Sequence, residues 1–169
     1  MKMSRLCVLL YRIARTLLLW RIPLLPRLIT YFMRLVFSCW IPAQIKAGRG
    51  LVLGYGGLGI VIHGETVLGD DVHIDQHVTI GGNATVYGAP VIGNHVYVGA
   101  GAKILGPIHI GDNCVIGANA VVLADVPSGS VAVGVPARVV RSGIIVSEFL
   151  YHLTHPENMG SRPDLKAAD

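Results

Sequence analysis

The sequence predicts an all-β solenoid, a parallel β-helix of six-residue repeats, with a short helical segment before it and a tail helix after it. Three observations predict this fold: an aliphatic residue recurs every six positions, a small or branched residue stands two positions earlier, and glycine often follows. The recurring aliphatic residues are Leu68, Ile74, Ile80, Ile92, Val98, Ile104, Ile110, Ile116 and Val122. A period of six fits short strands joined by regular corners, and it fits neither a helix nor a long alternating strand.

Glycine follows six of the nine aliphatic positions, at Gly69, Gly81, Gly93, Gly99, Gly111 and Gly117. We expect these glycines at corners, where the backbone needs unusual torsions or where a neighbour comes too close for a Cβ. Three six-residue units make one triangular coil. Each coil covers apolar faces of its neighbours, so the two ends of the stack need caps.

The repeat divides the chain into three predicted parts: a helical segment at residues 1–40, a β-helix domain at 41–141, and a C-terminal helix and tail at 142–169. In the first part, residues 5–20 predict an amphipathic helix, which Pro23 and Pro26 break before a second helix at residues 28–37. In the last part, residues 144–153 predict the tail helix. Two irregular segments interrupt the coils, residues 54–59 and the loop-like residues 82–90, which we expect to project from an edge.

Charge is concentrated at one end of the chain. Hydrophobic residues make up 52% and charged residues 14% of the sequence, which excludes a disordered chain. Residues 1–50 contain nine Lys and Arg and no Asp or Glu, and the first carboxylate is Glu65. A basic, apolar end indicates an anionic surface as its partner, and we predict no nucleic-acid partner.

The arginines of this basic end interrupt every apolar run, so none approaches the roughly 20 residues that a spanning helix needs. We therefore predict that residues 1–37 lie flat on the inner face of an anionic membrane, as a peripheral anchor of a cytoplasmic protein. The alternative is that the same residues pack as a cap on the first coil. Cys7, Cys39 and Cys114 fit no metal or redox spacing, so no metal is predicted, and Cys114 takes an inward position.

Four motifs between residues 41 and 140 carry a resemblance to a known family. They are KAGRG at 46–50, VTIGG at 78–82, the continuous repeat at 96–122, and GVPARVV at 134–140. With them the sequence resembles the hexapeptide-repeat acyltransferases, in their serine acetyltransferase-like branch. The resemblance implies a homotrimer of left-handed parallel β-helices with active sites between subunits, and acetyl-CoA as the co-substrate.

The resemblance also implies which residues hold acetyl-CoA. It places Gly82, Ala100 and Ala118 along the co-substrate, with Arg138 and Arg141 near its phosphates. Small residues let an extended thioester approach the backbone, and the planar guanidinium group matches phosphate. The alternative is that the small residues only serve the corners of the repeat.

The sequence departs from this family where the family holds its catalytic groups. Tyr55 or its neighbour stands at the position of the catalytic histidine, Trp40 at that of the paired acid, and Ala89 at that of the histidine in the protruding loop. Acetyl transfer needs a base for the acceptor hydroxyl, and histidine titrates in the right range. The base is therefore expected elsewhere in the chain, and the departures favour an acceptor other than serine.

His63 is the predicted base, because the pattern YGGLGIVIH that contains it resembles short transferases of exopolysaccharide synthesis. His77 and His73 are the next candidates. Asp75 is predicted to orient His63 across a subunit interface, since the two residues fall on different faces of one subunit. Tyr55 is predicted to hydrogen-bond the acceptor or the oxyanion. The alternatives are that His63 is a solvated corner histidine, that Asp75 is an ordinary surface acid, and that Tyr55 closes a subunit interface.

The leading functional prediction is acetyl-CoA-dependent O-acetylation of a hydroxyl, on a saccharide in polysaccharide biosynthesis. The first alternative is a serine O-acetyltransferase of cysteine biosynthesis. Two minor alternatives are a noncatalytic trimer and a γ-carbonic-anhydrase-like zinc enzyme on the same coil. The zinc enzyme would need three histidines that converge on one metal ion, and the spacings of His63, His73 and His77 do not map onto that pattern.

Overall fold

The computed structural model describes residues 2–83 and 86–149, and it contains the predicted parallel β-helix. Helices α1 (Lys2–Leu19) and α2 (Leu25–Phe37) precede the coils. The strands are β1 (Lys46–Ala47), β2 (Val52–Leu53), β3 (Val61–Ile62), β4 (Val67–Leu68), β5 (His73–Ile74), β6 (Thr79–Gly81), β7 (Val91–Ile92), β8 (Tyr97–Val98), β9 (Lys103–Leu105), β10 (His109–Ile110), β11 (Val115–Ile116), β12 (Val121–Val122), β13 (Val131–Gly134) and β14 (Ala137–Arg141).

The strands stack into three parallel sheets. Sheet A contains β3, β6, β9 and β12; sheet B contains β1, β4, β7 and β10; sheet C contains β2, β5, β8, β11 and β13, and β14 joins it antiparallel. The chain passes through sheets B, C and A in turn, so the first twelve strands form four coils. Sequence-distant residues therefore lie side by side, as where His73 pairs in register with Val52 and with Tyr97.

The core is a single column of inward side chains along the coil axis. All nine recurring aliphatic residues are at most 2% exposed. The small residues two positions earlier are buried as well, Cys114 among them. Full burial of an aliphatic side chain contributes roughly 1.5–3 kcal/mol, so this column stabilises the stack. The predicted inward positions are confirmed.

Close approach of the coils, and not unusual torsions, accounts for five of the six corner glycines. A Cβ on Gly93 would lie 2.4 Å from Asp112 Oδ1 and 2.9 Å from its backbone nitrogen, whereas a Cβ on Gly81 would meet nothing within 4 Å. None of the six glycines has a positive φ. Left-handed torsions occur instead three positions after the aliphatic residue, at Asp71, His77, His95, Gly101, Asn113 and Asn119. Except for Gly101, these are residue types that tolerate the left-handed region better than most.

A polar ladder joins successive coils at the corner between sheets B and C. The backbone N–H of Arg49 donates to Asp70 Oδ1 at 2.6 Å, that of Asp70 to Asn94 Oδ1 at 2.8 Å, and that of Asn94 to Asp112 Oδ1 at 2.6 Å. The backbone N–H of Asp112 donates to Ser128 Oγ at 3.0 Å. The Arg49 N–H also holds the pKa of the Asp70 carboxyl below its usual value. Each side chain thus caps a corner of the preceding coil.

The N-terminal helices cap the open end of the stack, which is the alternative considered for residues 1–37. Tyr11 is buried in α1, and its hydroxyl donates to the backbone oxygen of Ile45 at 2.9 Å. Arg12 donates to the oxygens of Ala47 and Gly48, and Arg15 donates to those of Ala43 and Gln44. The backbone of the first coil, which has no preceding coil, is therefore satisfied by side chains of α1.

Both helices begin earlier than predicted, α1 at Lys2 and α2 at Leu25. Pro26 was expected in the break between the two helices, but it lies buried in the first turn of α2. A first-turn residue needs no hydrogen-bonded N–H, so proline is tolerated there. No helix in the described ranges is both long and apolar enough to span a bilayer.

The C-terminal end of the described chain closes sheet C with the β13–β14 hairpin, which the sequence analysis did not predict. A short helix, α3 (Val146–Phe149), follows it. Residues 144 and 145, predicted to begin the tail helix, are not helical, and the predicted residues 150–153 lie outside the described residues.

We predict that Gly93→Ala lowers the free energy of unfolding by roughly 1–3 kcal/mol, because the added Cβ overlaps backbone atoms of the next coil. Gly81→Ala is the matched control, since it also follows an inward aliphatic residue but has free space. It should leave stability unchanged or raise it by up to about 1 kcal/mol. Urea unfolding of both variants makes the comparison, and equal losses would contradict the close-approach explanation.

Candidate functional site

The predicted site residues lie on two edges that flank sheet A. The CA edge is the corner between sheets C and A, and its stacked rungs are the turn at 54–57 and the segments 75–77, 99–101 and 117–119. The AB edge is the corner between sheets A and B, and it contains His63 and the loop at 82–90. Residues on one edge are neighbours across coils although they are far apart in sequence.

The structure divides the predicted co-substrate residues between these edges. Ala100 and Ala118 lie on successive rungs of the CA edge, where the backbone N–H of Asn119 donates to the Ala100 oxygen at 2.8 Å. Gly82 lies on the AB edge, where a Cβ would lie 2.9 Å from the Gly88 oxygen. No single edge of one subunit holds all three, so a ligand that touches them all would either cross sheet A or lie between two subunits.

The two predicted phosphate-binding arginines lie beyond the last coil, on β14 at the end of sheet C. Both are exposed. Arg138 Nη1 donates to the backbone oxygen of Ala137 at 2.9 Å, and Arg141 pairs in register with Val131. Arg138 pairs with Val133 at the end of β13 that adjoins the CA edge, whereas Arg141, opposite Val131, lies toward the corner between sheets B and C.

A polar cluster of His73, Asp75 and Tyr97 lies on the outer face of sheet C and reaches the CA edge at Asp75. His73 Nε2 lies 3.1 Å from Asp75 Oδ1, and the Tyr97 hydroxyl donates to Asp75 Oδ2. The rings of His73 and Tyr97 pack with centroids 5.1 Å apart. Burial, together with the Asp75 carboxylate, raises the pKa of the Tyr97 phenol above its ordinary value, so the phenol stays protonated and remains a donor.

Both carboxylate oxygens of Asp75 thus have partners within the subunit. The contact predicted between Asp75 and His63 is not formed inside one subunit, and its formation across an interface stays a prediction. The sequence contained part of the signal for the observed cluster, since His73 and Asp75 alternate outward along one strand. It did not reveal Tyr97, because the loop at 82–90 separates the two coils and hides their register.

His63 is exposed on the AB edge, in a different polar group. Its Nδ1 accepts the backbone N–H of Glu65 at 3.3 Å, and the Glu65 carboxylate accepts the hydroxyl of Tyr87 from the loop at 82–90. The contact brings the predicted projecting loop over the corner that holds His63. Its role as base stays a prediction.

His77 and Tyr55 occupy left-handed positions on the CA edge, with φ angles of 60° and 48°. The His77 ring lies against Gly59, where a Cβ would be 2.2 Å from Nδ1, and the His77 oxygen accepts from Lys103 Nζ at 2.7 Å. His77 therefore supports the irregular segment at 54–59. Tyr55 is 81% exposed, and its hydroxyl has no hydrogen-bond partner within the described part of the subunit.

An open cleft of about 900 Å³ lies between α1 and the first coil. Its walls include the apolar Val8, Leu51 and Val52, the cationic Arg5, and Gly54 and Tyr55 of the CA edge. Val52 is the register partner of His73, and Asp75 Oδ1 lies 2.6 Å from where a Gly54 Cβ would stand. His73 and Asp75 do not line the cleft themselves, but they lie on the next coil, directly beside the lining residues Val52 and Gly54.

Within the described ranges, no three His, Cys, Asp or Glu side chains are grouped so that they could hold a metal ion. His63 and His73 lie on different edges, and His152 and His155 fall outside those ranges.

Comparisons with known proteins agree with this architecture. Residues 89–124 match the family described as bacterial transferase hexapeptide (six repeats). A serine acetyltransferase of Synechococcus elongatus is 41% identical over 151 residues, which are 88% of this chain and 61% of the relative. A serine acetyltransferase of Helicobacter pylori is 44% identical over 132 residues, which are 77% of each chain.

Solved structures with the same fold include the soybean serine acetyltransferase apoenzyme, with a TM-score of 0.77 and 37% identity over 82% of this chain and 57% of that one. A serine acetyltransferase in complex with CoA matches with a TM-score of 0.73 and 37% identity, over 79% of this chain and 55% of that one. The resemblance and the left-handed β-helix are confirmed. The chain spans about three fifths of the length of the Synechococcus and soybean proteins.

Proposed function

Since the chain belongs to the serine acetyltransferase family of hexapeptide-repeat proteins, we propose that it is an O-acetyltransferase that uses acetyl-CoA. The single observation that carries the proposal is the CA edge, where small residues on successive coils lead to a histidine–carboxylate pair beside an open cleft. Ala100 and Ala118 leave the backbone open to an extended thioester, and Arg138 and Arg141 at the end of sheet C suit its phosphates.

The proposed reaction at this edge is transfer of the acetyl group from the thioester to an acceptor hydroxyl. The acceptor hydroxyl oxygen attacks the thioester carbon, a base on the protein takes the hydroxyl proton, and the carbon–sulfur bond breaks. The released thiolate recovers a proton from the base, which restores the enzyme. Positioning of the two reactants along one edge supplies much of the rate enhancement, because it makes the encounter effectively intramolecular.

The acceptor that the relatives' names suggest is L-serine, and it is the first that we propose for this chain. A specific observation favours a second candidate, a saccharide hydroxyl. Trp40 stands where the resembling family has its acid. Its ring packs on that of Tyr31 with centroids 5.6 Å apart, and the guanidinium carbon of Arg34 lies 5.8 Å from its ring centroid. Tyr55 replaces the histidine. The residues at these two positions, which would surround a bound L-serine, thus differ from the family pattern.

A homotrimer with active sites between subunits is also part of the proposal. Facing edges of two subunits would bring Gly82 on the AB edge and Ala118 on the CA edge to opposite sides of one extended co-substrate. In a closed threefold ring, every CA edge meets the AB edge of the next subunit, so three equivalent sites form.

We further propose that the outer face of the helical cap binds an anionic membrane. This outer face is the side of α1 and α2 away from the coil, and its exposed apolar residues include Leu6, Trp20, Leu28, Phe32 and Leu35. Arg5, Arg21, Arg27 and Arg34 are also exposed, and residues 1–64 contain no carboxylate side chain. A second copy of this face would bring like charges together, whereas anionic lipid would neutralise them.

The first functional prediction is that the purified protein releases CoA from acetyl-CoA when a suitable hydroxyl is present. Thiol release is to be measured with L-serine, with sugar nucleotides and with oligosaccharides, and the acetylated product is to be identified by mass spectrometry. Turnover with serine supports the first acceptor, and turnover only with a saccharide supports the second. No thiol release with any of these acceptors would contradict the proposed activity and favour the noncatalytic trimer.

The second functional prediction is that subunits complement one another. Ala118→Trp and Gly82→Trp should each abolish turnover, because each blocks one side of a shared co-substrate path. Co-expression of the two variants should restore about a quarter of the wild-type sites, as random assortment in a symmetric trimer requires. Light scattering must report three chains for each preparation. Absence of recovery in mixed trimers would contradict the shared site.

The third functional prediction concerns the outer face of the cap. The protein should float with vesicles that contain anionic lipid at low salt, and high salt should release it, since each exposed basic residue contributes about 1 kcal/mol near such a surface. Replacing two exposed residues, Trp20→Glu with Leu35→Glu, should abolish flotation. Leu123→Glu is the matched control on a coil, and it should float normally. Flotation that persists in the double variant would contradict a role of this face.

A further inference from the structure

We propose that His73 is the general base of acetyl transfer, and that Asp75 and Tyr97 are the positioning residues that hold it. This inference rests on the proposed function. It assigns the base to the CA edge, whereas the sequence had favoured His63 on the AB edge. The contacts among the three side chains, their place in the stack and the adjoining cleft carry the assignment.

The contacts hold the imidazole ring in one orientation. Asp75 Oδ1 lies 3.1 Å from His73 Nε2, so that nitrogen carries a proton and donates it to the carboxylate. The other ring nitrogen, Nδ1, is left to accept a proton. Tyr97 fixes the second carboxylate oxygen through its hydroxyl and packs its ring on that of His73. An acid that orients a histidine also stabilises the imidazolium that forms during proton transfer.

The stack brings this pair to the end of the predicted co-substrate path. The CA edge presents Ala118, then Ala100, then the rung of Asp75, at the spacing of about 4.8 Å between neighbouring strands. The hydrogen bond from the Gly101 N–H to the Gln76 oxygen, 2.9 Å long, joins the last two rungs. An extended thioester that passes the two alanines therefore comes next to the rung of Asp75, and Asp75 contacts His73 on the adjoining strand β5.

The cleft beside α1 supplies room for the acceptor at the same place. Val52 and Gly54 line the cleft, and they are the neighbours of His73 and Asp75 on the preceding coil. The His73 side chain is 38% exposed, so it is open to a substrate, while Asp75 at 19% is more shielded. This combination of an accessible base and a shielded orienting acid is what general-base catalysis requires.

A second histidine–aspartate pair provides a matched control. His95 Nδ1 lies 3.6 Å from Asp71 Oδ2 at the corner between sheets B and C, and both side chains are more than half exposed. Among the hydrogen bonds of the described residues, no third side chain fixes that carboxylate as Tyr97 fixes Asp75. The pair lies away from both edges of sheet A, so a histidine–aspartate contact alone does not make this site.

In the proposed step, His73 Nδ1 takes the proton of the acceptor hydroxyl as its oxygen bonds to the acetyl carbon. The carbon–sulfur bond then breaks, and the sulfur takes the proton from the imidazolium. The products are the acetyl ester and CoA, and His73 returns to its neutral form. No oxidant, reductant or metal is needed, and every proton is accounted for.

The test uses the full chain with acetyl-CoA and the acceptor that gives the fastest wild-type turnover. His73→Ala should lower kcat by about 10²- to 10⁴-fold while the KM for acetyl-CoA changes little. Added imidazole should restore part of the lost turnover, which a purely structural role of His73 would not allow. His73→Gln, which keeps a polar side chain of similar length, should be as inactive as His73→Ala. Added imidazole should not restore its turnover to the same extent.

The positioning residues and the controls complete the experiment. Asp75→Asn and Tyr97→Phe should lower kcat less than His73→Ala does, with the KM for acetyl-CoA nearly unchanged. His95→Ala should keep wild-type turnover. The assignment is overturned if His73→Ala keeps full turnover while His63→Ala loses it, or if imidazole fails to rescue a trimeric His73→Ala protein that still binds CoA. A wild-type protein that acetylates no acceptor overturns the proposed function and this inference together.

Discussion

Close contact between successive coils is the constraint on which the rest of this structure depends. Backbone hydrogen bonds within each sheet bring every coil within van der Waals distance of the next, and the corners tolerate no Cβ where that distance is shortest. Gly69 and Gly93 illustrate the limit, because a Cβ on either would lie about 2.5 Å from atoms of the next coil. The same contact buries the aliphatic column, so the corners and the core are set by one geometry.

This constraint also explains why chemistry collects at the edges. Side chains inside the coil are committed to packing, but outward residues of successive coils are stacked in rows along the sheet faces and the corners. A row of small residues leaves exposed backbone, as at Ala100 and Ala118. A row that holds His73, Asp75 and Tyr97 on two neighbouring coils forms a polar cluster that no local stretch of chain could form.

At the open end of the stack, the backbone groups of the first coil have no preceding coil to provide hydrogen-bond partners. Tyr11, Arg12 and Arg15 of α1 supply donors to the first coil, which fixes the helix on the stack. Two of the seven basic residues in this segment are thereby committed to the fold. Other side chains of the same helices, such as Leu28 and Leu35, are exposed, so one segment serves as a cap on its inner side and offers a binding surface on its outer side.

The sequence by itself determined the coil, the inward residues, the place of the inserted loop and the existence of both N-terminal helices, because each depends on a period or a breaker that is visible along the chain. Only the tertiary structure decided the partner of Asp75, the split of Gly82 and Ala100 between two edges, and the seating of α1 on the first coil. These depend on which residues of different coils share a rung. The irregular segments at 54–59 and 82–90 change the number of residues per coil, so the stacking register cannot be counted from the repeat alone.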